Sequence, residues 1–179
     1  MAKAYAAFAG DRLIAAGELE SVLTKVKHRL DKDEIEQLLI FEEHSGRQVD
    51  FDFRGTLEEV LERELPQPAA QGPGRPKLGV VSREISLLPA HWTWLEEQRN
   101  GISAALRRLV DEASKRDPDK QRARKAREAA GRFMTALAGD RPNFEEAMRA
   151  LYAGERKQLT ELTSRWPKDI RAHITRILG

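Results

Sequence analysis

The sequence predicts an α+β protein: a small ββαββα N-terminal unit, then a strand–helix–helix segment and a C-terminal helical bundle. Three observations predict it. Before residue 55, apolar residues alternate or run short and unbroken, as strands require. Between and after these runs, apolar residues recur every three or four positions, as amphipathic helices require. Residues 66–77, PQPAAQGPGRPK, hold four prolines and two glycines. Such a stretch cannot hold a helix, so the chain reads as an acidic domain over 1–65, a linker over 66–77 and a basic, mainly helical domain over 78–179.

The elements follow in order. Residues 4–9 and 12–16 form a hairpin around Gly10 and Asp11. Leu19, Val22, Leu23, Val26 and Leu30 make one helical stripe. Residues 38–41 are a short apolar run of strand type, and His44, Ser45, Gly46 and Arg47 supply a turn. Val49, Phe51 and Phe53 alternate with Gln48, Asp50 and Asp52, which predicts a half-buried strand. Thr56 and Glu59 have capping-box spacing ahead of Leu57, Val60, Leu61 and Leu65. Beyond the linker, residues 80–87 are the next strand. Pro89 opens a short helix with Trp92 and Leu95 on one face. Gly101 breaks it, and Ser103 is expected to cap a helix carrying Leu106, Leu109 and Val110. Asp117 and Pro118 open a longer helix with Ala123, Ala126, Ala130, Phe133, Met134 and Leu137 on its buried face, stopped by Gly139. Three short helices follow, over 143–153, 156–164 and 167–178.

The net charge of +2 conceals a division. Residues 1–64 hold nine Lys/Arg against fifteen Asp/Glu, and residues 65–179 hold twenty-two against fourteen, so the parts carry −6 and +8. A basic part points to a polyanion, or to attraction between the two parts. No run of eighteen apolar residues exists to span a membrane, and no signal-peptide stretch opens the chain. Without cysteine, disulfides are excluded and a cytoplasmic setting is expected.

The segment 81–112, VSREISLLPAHWTWLEEQRNGISAALRRLVDE, runs strand, Pro-initiated helix, Gly break, helix. It resembles the ribbon-helix-helix fold of bacterial repressors and antitoxins. That resemblance implies a homodimer whose paired strands enter the major groove of double-stranded DNA. Ile85 and Leu87 would face the dimer core, and Ser82, Glu84 and Ser86 the bases. Ser103 would clamp a phosphate at the second helix, with Arg107 and Arg108 close behind. Glu84 among the base-facing positions and Arg83 on the core face depart from the family pattern. Gly74, Arg75, Pro76 and Lys77 resemble the core of the AT-hook, which implies minor-groove contacts by Arg75 and Lys77. Lys120, Arg124 and Arg127 share a helix face in a cationic run from Lys115 to Arg132.

Nearly the whole chain is also similar to a bacterial family known as a domain of unknown function. Residues 7–10 (AFAG), 45–52 (SGRQVDFD), 74–81 (GRPKLGVV), Phe133 and 138–140 (AGD) carry that similarity, which implies no activity. No catalytic constellation, phosphate loop or cofactor fingerprint is present, and His28, His44, His91 and His173 lack metal-ligand spacing. Asp50 and Asp52 could work as paired carboxylates, though a solvated sheet face explains them more simply. The sequence thus supports a non-enzymatic, DNA-binding regulatory dimer without cofactor or metal. A protein-interaction module with no nucleic acid is the alternative.

Overall fold

The computed structural model describes residues 3–35, 37–65, 81 and 83–179. The chain forms two compact units: residues 1–67 with 122–179, and residues 68–121. The linker expected over 66–77 lies outside the described residues.

In the larger unit, β1 (Ala4–Ala9), β2 (Arg12–Glu18), β3 (Leu38–Glu42) and β4 (Arg47–Val49) form one antiparallel sheet in the order β2-β1-β3-β4. Helix α1 (Leu19–Leu30) follows β2, and α2 (Leu57–Glu64) follows β4 and packs on α1. The expected ββαββα order is therefore present. The capping box forms as well: Glu59 N donates to Thr56 Oγ1 at 3.3 Å, and Thr56 N to Glu59 Oε2 at 2.8 Å. The last strand is shorter than the alternation predicts. It stops at Val49, and Phe51 and Phe53 pack from irregular chain that α2 holds through Arg63 Nη1, which donates to Asp52 O at 2.7 Å.

Both faces of the central strands are buried. Tyr5, Ala7 and Ile40 pack with Val22 and Val26 of α1, while Ala6, Phe8 and Phe41 face the opposite way. Alternate strand residues point to opposite faces, so the unbroken apolar runs of β1 and β3 require two covers. The second cover comes from the far end of the chain: α5 (Pro118–Ala138), α6 (Phe144–Ala153), α7 (Arg156–Leu162) and α8 (Lys168–Leu178). Phe133 and Met134, Leu151, Leu159, Trp166, Ile170 and Ile174 share one core with Phe8 and Phe41. Phe133 lies 5.2 Å from Phe8 and 5.1 Å from Phe41, centroid to centroid. Trp166 is buried there, its Nε1 donating to Pro142 O at 2.9 Å.

This corrects the expected division into 1–65 and 78–179. The sheet cannot bury Phe8 and Phe41 without helices from beyond residue 121. The stripe on α5 is buried only from its middle onward; Ala123 is exposed. The charge division is also internal to this unit. Residues 122–179 carry thirteen Lys/Arg and seven Asp/Glu, a net +6 opposite the −6 of residues 1–64. Arg141 Nη2 donates to both Asp11 carboxylate oxygens at 2.6 Å, Arg176 Nη2 lies 2.5 Å from Glu43 Oε1, and Arg132 Nη1 donates to Ser45 O at 2.6 Å.

In the smaller unit, α3 (Pro89–Glu96) and α4 (Ile102–Arg116) form a helical pair, with Pro89 in the first turn of α3 as expected. No strand forms over described residues 81 and 83–88; Val80 and Ser82 lie outside them. A strand is defined by its ladder, and no described segment of the chain offers this stretch a partner.

Gly46 shows how closely sheet and helices fit. It holds φ 65° in the β3–β4 turn, and an added Cβ would overlap the backbone of Ala129, whose carbonyl carbon would be 2.7 Å away. Gly10 holds φ 54° with open space around it. Gly10→Ala should cost about 1–2 kcal/mol for the left-handed backbone, and Gly46→Ala about 1–3 kcal/mol more for the overlap. Chemical denaturation of both variants checks the order, and equal losses would contradict the close approach.

Candidate functional site

The positions singled out for DNA fall on several elements. Arg75, Lys77 and Ser82 lie outside the described residues. Arg83, Glu84 and Ser86 are exposed on a stretch that is neither helix nor strand. No hydrogen bond between described residues ties that backbone down before Leu88 O, which accepts from His91 N and Trp92 N at 2.9 and 3.3 Å.

Ser103 is not the helix cap. Gly101 takes that place, with φ 76° and ψ 164°, and its carbonyl accepts the first helical bond from Ala105 N at 3.1 Å. Such a backbone conformation is readily adopted only by glycine, so the helix starts one residue later than Gly101 and Ser103 falls inside its first turn. The Ser103 carbonyl accepts from Arg107 Nε at 3.1 Å, and Arg108 pairs with Glu112 at 3.9 Å. On α5, Lys120 pairs with Asp117 at 3.4 Å and Arg124 with Glu128 at 3.6 Å. Arg127 is half-buried and lines a small cavity with Ala126 and Gly154.

What residues 81–110 do hold together is apolar surface. Val81, Ile85, Leu88, Trp94, Leu109 and Val110 are all exposed, Val81 to 71% and Val110 to 64%. Tyr152 is the one other large hydrophobic side chain so exposed among the described residues. Against this, α3 buries Leu95 and α4 buries Ala105. Six of the seven large apolar side chains so exposed among the described residues thus fall within this one stretch of sequence.

Of the two carboxylates in the paired reading, Asp52 is already engaged by Arg54. Asp50 and Asp52 stand beyond the end of β4. Asp52 accepts from Arg54 N, Nε and Nη2 at 3.0, 2.9 and 2.6 Å, and these bonds hold its carboxyl well below the usual range. Glu42 is lowered too, by Ser45 Oγ at 2.5 Å and by Lys3 at 2.9 Å. Among the described residues, no three His, Asp or Glu are grouped to hold a metal, and no helix is long and apolar enough to cross a membrane.

Residues 4–178 match the model of a family described as an uncharacterized protein conserved in bacteria, DUF2239. The chain belongs to this family. No curated protein and no solved structure matches it. Several of the residues that carried the family resemblance meet in the larger unit. Phe8 packs on Phe133, Gly46 lies against Ala129, and Ala138 closes the core beneath them.

His173 is a member of that core that spacing could not single out. It is 2% exposed, edge-on to Phe8 at 5.2 Å and 4.4 Å from Phe133. Arg176 Nη2 lies 2.7 Å from its Nδ1. A guanidinium can only donate, so Nδ1 accepts and the neutral ring carries its proton on Nε2, which is buried without a partner. Burial first, then the Arg176 charge, lowers its pKa from 6.5 to about 4. The unfolded chain therefore binds a proton that the fold rejects between these values. Stability should be complete above pH 6.5 and fall as pH drops toward 4, by about 3 kcal/mol at most. The lowered Glu42 and Asp52 add to the loss only at the acid end of this window and below, and do so equally in both proteins. Thermal melts from pH 7 to 4 should show the loss in the wild type and a flatter profile in His173→Phe; identical profiles would refute a buried neutral ring.

Proposed function

We propose that this bacterial protein is a non-enzymatic association module that pairs with a second copy of itself through residues 81–110. The exposed apolar side chains of that stretch carry the reading. A helical pair that buries little more than Leu95 and Ala105 gains too little to hold its own arrangement. A second copy is the occupant that best suits the chemistry. Among the described residues, the backbone of 83–87 has donors and acceptors without partners, and a twin segment paired antiparallel about a twofold axis would satisfy both sets. Ile85 and Val110 would then leave water together. This arrangement is the dimer that the strand–helix–helix order implies, in a cytoplasmic setting.

DNA binding by that dimer is a second reading, favoured by one observation. Lys115, Arg116, Lys120, Arg124 and Lys125 are all exposed on consecutive turns at the end of α4 and the start of α5. The unit of residues 68–121 carries nine Lys/Arg against seven Asp/Glu, so any attraction to phosphate rests on this local run and not on the unit's net charge.

Light scattering at micromolar concentration should give twice the chain mass. Ile85→Lys combined with Val110→Lys should return a monomer whose larger unit melts as before. A monomeric wild type would remove the association reading.

Anisotropy of a labelled duplex at about 50 mM salt tests the second reading. Affinity should fall with salt at a log–log slope near −0.9 per neutralised phosphate, and Lys120→Ala or Arg124→Ala should each flatten it by about one unit. No binding by the folded dimer would eliminate DNA and leave association standing.

A further inference from the structure

The larger unit holds a cleft of about 310 Å³ between α7 and α8. Its walls have one spacing on both helices. Arg156, Leu159, Thr160 and Thr163 follow at i, i+3, i+4 and i+7 on α7 and the turn after it; Lys168, Arg171, Ala172 and Thr175 do the same on α8. That spacing puts each set on one helix face. Leu159, Ile174 and Leu178 add an apolar floor.

Three cations and no carboxylate line the cleft. Arg156 is committed to structure: its guanidinium donates to Leu178 O at 2.5 Å and Gly179 O at 2.6 Å. Lys168 and Arg171 form no ion pair among the described residues, and Arg171 Nε is buried without a hydrogen-bond partner. The nearest acid on α8, Asp169, accepts from Leu13 N at 2.9 Å and is not part of the lining. A buried donor without a partner is costly unless something accepts from it. Elsewhere in this unit, Arg141 and Arg176 meet carboxylates of the N-terminal half. The cleft keeps its cations without that answer.

We propose that this cleft binds a small organic phosphate, with the phosphate between Lys168 and Arg171 and the organic body on Leu159, Ile174 and Leu178. Two uncompensated cations match a phosphate monoester, which carries about −1.5 to −2 at neutral pH. The volume is at the lower end of small-molecule sites, roughly 300–1,000 Å³. Thr160 and Thr175 donate their hydroxyls to Arg156 O and Arg171 O at 2.9 and 3.0 Å. Their oxygens are thereby left as acceptors for hydroxyl or amino groups on the ligand body. This site is separate from the 81–110 surface, so neither stands or falls with the other.

The test uses the full chain, labelled with ¹⁵N, and three probes: phenyl phosphate, inorganic phosphate and benzyl alcohol. Phenyl phosphate should move the amide signals of α7 and α8, bind more tightly than inorganic phosphate because of the apolar floor, and be matched by no effect of benzyl alcohol. Lys168→Gln and Arg171→Gln should each weaken phenyl phosphate about ten-fold or more, the loss of one charge-assisted hydrogen bond. Arg165→Gln, an exposed cation outside the lining, should leave affinity unchanged. The proposal is overturned by no shift at millimolar phenyl phosphate, by shifts centred on α5, by equal affinity for the two phosphates, or by unchanged affinity in both cleft variants. Should a variant fail to fold, the wild-type shift map and the ranking of probes decide alone.

Discussion

The larger unit depends on one aromatic packing. Phe133 of α5 contacts Phe8, Phe41 and His173, and so joins two strands of the sheet to the last helix. Phenylalanines in edge-to-face and tilted contact gain beyond the area they bury. The sheet has two apolar faces, α1 covers one, and Phe133 brings the cover for the other. The tight turn at Gly46, the Arg141–Asp11 pair and the neutral state of His173 all follow from that closure.

The same closure changes the meaning of the charge pattern. An acidic half followed by a basic half suggests an outside polyanion, yet each half is the other's partner within one core. Arg141 and Arg176 answer Asp11 and Glu43 directly. Exposed ion pairs contribute little to stability, but like-signed halves would repel, so the complementarity favours the correct docking of the two segments over alternatives. The central segment differs. It exposes large apolar side chains among its charged ones, and its charges nearly balance.

Local structure was legible in the sequence because local forces set it. The hairpin at Gly10, the stripe of α1, the Thr56–Glu59 box and the Pro89 start of α3 are all present. Periodicity tells which face of an element is apolar, but not what covers it. Hence the two segments of one core read as separate domains. The unbroken apolar runs of β1 and β3 did hold the signal, since a strand covered on one side alternates and one covered on both need not. Ser103 was expected as a cap because its side chain suits the task, but the cap is set by backbone, and Gly101 has the conformation. The strand expected over 80–87 has the right residues, but no described segment offers its described part a ladder partner. The cleft between α7 and α8 has no motif. Its Lys, Arg and Thr residues are ordinary helix-surface residues until the two helices are brought face to face.

The order of the segments along the chain has a consequence for biosynthesis. The sheet is made first and its second cover last, with residues 68–121 translated in between. At about 5–20 residues per second, a nascent chain waits on the order of ten seconds between completing β3 and releasing α8. Until α5 emerges, Phe8 and Phe41 lack the partner that Phe133 provides, and the sheet presents an apolar face to the crowded ribosome exit. Contacts so distant in sequence also close slowly, because chain entropy is lost before they reward it. The order of translation thus leaves one face of the sheet uncovered for much of synthesis, although the finished larger unit buries it.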